Sequence, residues 1–170
     1  MKREDPEAVK KIGERFLDGL LQKTYGFAQH LDHQVNILLG ISSAVFLFAL
    51  SRVLEHGAEP AFSVLSLCAG LSSLVALFAV HPPKFMRKRG QKESVLYHKH
   101  AETFSSSAEY AQALEEVIED KKAMIQEYAV EAYNVSKYYY RPKRRLFRLS
   151  RNLLLLGVLS SFVLFVARLW

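Results

Sequence analysis

The chain has 170 residues, half of them apolar yet 24% charged, and carries a formal net charge of +6. The charged and apolar residues fall in separate blocks, the pattern of a membrane protein and not of a soluble globule. A lone cysteine, Cys68, excludes an internal disulfide and a cysteine-built zinc site.

The first 33 residues balance six basic against six acidic residues and hold no early apolar run, so no signal peptide is read there. Asp5-Pro6-Glu7 is a helix start with proline in the first turn. Val9, Ile12, Phe16, Leu20, Phe27 and Leu31 follow mostly at spacings of three and four, which predicts one amphipathic cytosolic helix over 1–33. With acids as common as bases, packing in a bundle is expected in preference to an anionic-lipid anchor.

Three segments have the length and polarity of membrane spans. Residues 35–54 carry one charge, Arg52; residues 60–80 carry none; residues 152–170 carry only Arg168. A helix needs roughly 20 apolar residues to cross a ~30 Å hydrocarbon core, and lipid leaves it no other way to satisfy its backbone. The expected division is a transmembrane hairpin over 34–81, a cytosolic helical region over 82–147 and a third span over 148–170. The link Glu55-His56-Gly57-Ala58-Glu59 has no Lys or Arg, whereas residues 79–151 hold 15 basic residues against 9 acidic. This asymmetry places the N-terminus and the long connection in the cytosol and Trp170 outside. Arg52 and Arg168 then lie near the outer face, where long stems snorkel to the headgroups. Small residues four apart (Gly40 and Ala44, Ser66 and Gly70, Ala69 and Ser73, Gly157 and Ser161) suit close helix packing, within one chain or between chains.

After the second span, His81-Pro82-Pro83 stops the helix, and Lys84, Arg87, Lys88 and Arg89 form a basic collar. A helical stretch is expected through Ser94 to His100 and on to Phe104, then a break at Ser105-Ser106-Ser107. Ser106 and Glu109 have capping-box spacing. Tyr110, Leu114, Val117, Ile118, Ile125, Tyr128, Ala132, Val135 and Tyr139 make one stripe, predicting a single helix from Ser107 to Arg141, about 52 Å long, with Pro142 kinking or interrupting it. A helix of that length resembles a stalk, and its stripe needs a partner, which favours a homo-oligomer. Glu115, Glu116, Glu119 and Asp120 read as a solvated face. His98 and His100, two apart, face different sides of a helix and make a poor metal pair.

The run Lys137-Tyr138-Tyr139-Tyr140-Arg141 mixes planar rings with cations, as a nucleotide site requires, though tyrosines also belt membrane interfaces. Lys143, Arg144, Arg145, Arg148 and Arg151 read as the positive-inside collar of the third span, so no nucleic-acid partner is expected. No phosphate loop, nucleophile elbow, metalloprotease motif or paired carboxylates appear, so neither enzymatic activity nor a cofactor is expected.

Asp32-His33-Gln34-Val35-Asn36-Ile37-Leu38-Leu39-Gly40 enters the first span, and the second span ends before a proline. Ser107-Ala108-Glu109-Tyr110 opens the next long helix, which carries Tyr133-Asn134-Val135-Ser136 and runs through Tyr140-Arg141-Pro142-Lys143 into the last span. In this order and spacing the chain, over roughly residues 27 to 168, resembles the transmembrane effector family of Pycsar antiphage systems. The resemblance implies an effector that answers a cyclic mononucleotide, cyclic CMP or cyclic UMP, made by a partner cyclase, by oligomerising and impairing the membrane. Tyr110, Tyr133, Lys137, Tyr138 and Arg141 are the candidate ligand residues. The expected fold is all-α: an integral membrane protein with three transmembrane helices and a cytosolic helical bundle or stalk in contact with the lipid bilayer. A membrane-anchored helical scaffold with no small-molecule ligand is the alternative.

Overall fold

A proline-free stretch of 53 positions between Pro6 and Pro60 lets one helix, α1, run unbroken from Pro6 to His56. The computed structural model describes residues 6–83, 86, 93–97 and 100–169; the proposed cap at Asp5, the collar Lys84, Arg87, Lys88 and Arg89, and His98 lie outside them. Gly57 ends α1 with φ of +83°, the left-handed conformation that only glycine adopts without strain. Pro60 then opens α2 (Pro60–Val80), where its missing N–H costs nothing, and α2 stops one residue before Pro82-Pro83. The remaining elements are a 3-10 turn (Ala101–Thr103), α3 (Ser107–Glu119), α4 (Lys121–Asn134), a π-helical segment (Val135–Tyr140) and α5 (Arg141–Leu169). Among the described residues there is no strand.

The chain divides into two compact units, Met1–Ala28 with Lys88–Tyr140 and Gln29–Arg87 with Arg141–Trp170. α1 contributes residues to both.

In the first unit the expected single helix from Ser107 to Arg141 is broken at Asp120, whose backbone is extended (φ −101°, ψ 106°). The Asp120 carboxylate accepts from Lys122 N at 2.8 Å and so caps α4. At the start of α3, Ser106 Oγ accepts from Glu109 N at 3.2 Å and Glu109 Oε2 accepts from Ser105 N at 2.9 Å, the reciprocal cap that the spacing predicts. The helix expected over Ser94 to Phe104 is replaced, among the described residues, by a turn and the 3-10 turn. Side chains explain the difference, because they take over backbone groups that a helix would use. Leu96 N donates to Ser94 Oγ (3.1 Å), Val95 N donates to the Glu127 carboxylate (2.9 Å), and the Tyr110 hydroxyl donates to Val95 O (3.2 Å).

Pro142 neither ends nor interrupts the last helix. Its ring would collide with the carbonyl four residues back and offers that carbonyl no N–H. The π turn just before it widens the helix by one residue per turn, so the chain passes into α5 without stopping.

The second unit contains the apolar stretches of three helices long enough to cross a membrane, carried by α1, α2 and the run from α4 into α5. Their outer surfaces are apolar: Leu47, Leu67, Leu159 and Phe162 are each more than 60% exposed. Their buried residues are mostly alanine and serine, the arrangement of helices packed in lipid, where close backbone approach and van der Waals packing replace the hydrophobic driving force. Leu31, Val35, Leu38 and Ser42 of α1 form a buried seam at alternating spacings of four and three. Ser72 and Ser150, both fully buried, exchange hydrogen bonds: Ser72 Oγ donates to Ser150 O (2.8 Å) and Ser150 Oγ donates to Ser72 O (2.9 Å). Ser73 Oγ reaches Ser42 Oγ at 3.0 Å, tying α2 to α1. Ion pairs between elements of the unit include Lys143 Nζ with Asp32 Oδ1 (2.5 Å) and Arg168 with Glu59 (2.6 Å).

Candidate functional site

The π segment brings together three of the five residues proposed for the ligand. Tyr133 is the penultimate residue of α4, and Lys137 follows it by four positions, close to one turn of helix. The Lys137 ammonium donates to the Tyr133 hydroxyl and lies over two rings, 4.5 Å from the Tyr133 centroid and 5.5 Å from that of Tyr138. The two rings meet edge to face with centroids 6.0 Å apart. The hydrogen bond to Tyr133 holds the lysine pKa above its ordinary value, so the cation persists throughout the physiological range. A cation flanked by two aromatic faces, with Tyr133 half exposed, is chemistry that accepts an anionic phosphate and a planar base.

Tyr110 belongs to a different group of contacts in the same unit. Besides its bond to Val95 O, its ring packs on Phe104 at a centroid distance of 5.2 Å. Arg141, exposed, opens α5 and falls in the second unit.

Beside these stand polar residues that periodicity does not single out. On α4, Glu131 and Glu127 are buried, 1% and 6% exposed, one turn apart on the face that also buries Val135. The Tyr25 hydroxyl of α1 donates to the Glu131 carboxylate. Burial, and then the bond to that carboxylate, push the Tyr25 pKa far above the ordinary phenol value. Glu127 binds the 93–97 segment through Val95 N, and Ser94 Oγ donates to the Glu127 carbonyl at 3.3 Å. The two glutamates thus fasten α4 to α1 and to the segment that follows α2. In the second unit Lys143, read from sequence as one cation of the collar, is 3% exposed and paired with Asp32. A weak signal was present: a buried charge is tolerable only when paired, and Asp32 is the nearest carboxylate preceding the first apolar stretch.

No group of three or more His, Cys, Asp or Glu residues able to hold a metal occurs among the described residues.

The family model for the Pycsar effector protein domain matches residues 16–170. No curated protein and no solved structure matches the chain. The chain belongs to the Pycsar effector family, the membrane-embedded effectors of a cyclic-nucleotide antiphage pathway, and the match extends the sequence resemblance back into the first turns of α1.

Proposed function

We propose that this Pycsar effector senses a cyclic mononucleotide, cyclic CMP or cyclic UMP, through its first unit on the cytosolic side of the inner membrane, and that the bound homo-oligomer impairs the membrane. The observation that carries this reading is the Lys137 ammonium between the Tyr133 and Tyr138 rings, on the π segment that continues directly into α5. A ligand phosphate draws the ammonium off the rings, and a pyrimidine stacks on the face it leaves. Because π turns are less stable than α turns, ordering this segment around a ligand changes the helix that leads into the third span. The chemistry of the ligand response is recognition and rearrangement, with no bond made or broken.

Isothermal titration of the full chain in nanodiscs with cyclic CMP and cyclic UMP tests the reading. One of the two binds the wild type, and Lys137→Ala or Tyr138→Ala weakens it by roughly tenfold to a hundredfold, the effect of losing a charge-assisted hydrogen bond or a stacking partner. No heat from either nucleotide with the oligomer intact would leave the scaffold reading. That alternative has its own support: Phe16, Phe27 and Ile118 of the first unit are each more than 60% exposed, apolar surface suited to a protein partner.

A further inference from the structure

The end of the second unit that carries the 57–59 turn holds two adjoining recesses, one of mixed and one of apolar lining. The first, of about 600 Å³, is lined by His56, Glu59, Ala61, Phe165 and Arg168 among others. The second, of about 420 Å³, is lined by Val45, Phe48, Phe62, Leu65, Phe162 and Phe165, with Ser161 its single polar residue. Ala61 and Phe165 line both, so the two recesses adjoin along shared walls. These positions close one end of the apolar stretches, where polar headgroups replace hydrocarbon.

The charged groups at this end lie close to one another, with His56 Nε2 3.9 Å from the Glu55 carboxylate. Arg168 and Glu59 meet at 2.6 Å, and Arg52 lies 3.6 Å from Glu55. The Arg168 side chain is 67% exposed, and its guanidinium has five N–H donors, more than one carboxylate contact at Nη1 consumes. Arg52 also stands over the Phe48 ring, 5.5 Å from its centroid, so a second cation borders the apolar recess. Phe48 and Phe62 meet edge to face at 6.3 Å, which builds one wall of that recess from packed aromatic rings.

An occupant that fits must be amphiphilic, with a tail for the aromatic recess and a head bearing both signs of charge for the ion pair. A uniformly anionic head would meet Arg168 but also Glu59; a head with an anionic phosphate and a primary ammonium answers both. We propose that the turn between α1 and α2, with the end of α5, binds one zwitterionic aminophospholipid. The phosphate accepts from Arg168, the ammonium donates to Glu59, and one acyl chain lies against Phe48, Phe62 and Phe162. This site is independent of the nucleotide reading, since it uses other residues in the other unit.

Native mass spectrometry of the full chain released from nanodiscs tests it. The discs hold equal parts of phosphatidylethanolamine and phosphatidylglycerol with matched acyl chains, so only the head differs. The wild type is expected to retain one phosphatidylethanolamine per chain, at least fivefold over phosphatidylglycerol. Arg168→Gln should abolish retention of both, while Glu59→Gln, which removes only the partner for the ammonium, should erase the preference and leave phosphatidylglycerol bound equally well. Leu149→Ala, an exposed apolar position outside both recesses, should behave as wild type. Equal retention of the two lipids by the wild type overturns the proposal and needs no variant to fold. Retention unchanged in Arg168→Gln, or a second copy of the chain in place of lipid in the released species, overturns it as well.

Discussion

Single side chains hold the first unit together where apolar contact is thin. Tyr25→Phe removes the hydroxyl that satisfies the Glu131 carboxylate, which is 1% exposed, and keeps the ring. A buried acceptor left without this donor costs about 1–3 kcal/mol. The dependence on pH has a definite sign. The folded pKa of Tyr25 is raised above the unfolded value near 10, so its contribution is complete below about pH 10 and is lost as pH climbs through the folded value. Denaturant unfolding in micelles, followed by circular dichroism, should therefore show wild type above Tyr25→Phe at pH 8 and the two converging above pH 10. Curves that stay parallel across that range would sink this account. Sequence patterning drew attention to Lys137 and Tyr138 within one run of rings and cations, Tyr133 entered with the family resemblance, and the structure sets the three side chains in contact. Glu127 and Glu131 were illegible for a physical reason: periodicity assigns glutamates to the solvated face, and only tertiary partners such as Tyr25 and Val95 N make their burial tolerable.

At the scale of elements, α2 and α5 approach as closely as their smallest residues allow. A Cβ placed on Gly157 would lie 2.5 Å from the Cys68 Cβ, far inside van der Waals contact for two non-bonded carbons, whereas at Gly40 the same atom meets nothing within 4 Å. Gly157→Ala should thus separate the helices and lower stability by about 1–3 kcal/mol, against the intrinsic helix preference for alanine. Gly40→Ala, where only that preference acts, should be neutral or stabilising by up to about 1 kcal/mol. Adding Cys68→Gly to Gly157→Ala removes the opposing Cβ and should recover part of the loss, a result that thermal unfolding of the four proteins in one detergent decides. Of the four small-residue pairs noted in the sequence, Gly157 and Gly70 lie against neighbouring helices and Gly40 does not, a distinction that spacing alone could not make. The start of α3 was legible from its capping box, and the ends of α2 from its flanking prolines. The break at Asp120 was not, because no glycine or proline marks it. Its trace is the gap in the apolar stripe between Ile118 and Ile125, where Lys121 and Lys122 stand and Asp120 is free to cap.

For the whole molecule, the three spans were legible because lipid permits no other use of such apolar runs, but the side of the membrane on which each end lies depends on charge. The Arg168–Glu59 ion pair shows that the end of α5 and the link between α1 and α2 occupy the same end of the second unit. Reporters placed within 55–59 and after Trp170 must then agree with each other, whichever side they report. The absence of Lys and Arg from that link, against 15 in residues 79–151, predicts the outside. A phosphatase fused at either position should be active and a fluorescent protein dark, with the reverse for fusions near Glu119. Two reporters that disagree would break the three-span bundle itself. Two that agree on the cytosol would keep the bundle but invert it, placing Lys137 and its tyrosines outside, where a nucleotide made in the cytosol does not reach them. The direction of insertion is therefore the condition on which the proposed nucleotide sensing depends, and the charge asymmetry predicts that the Lys137 side faces the cytosol.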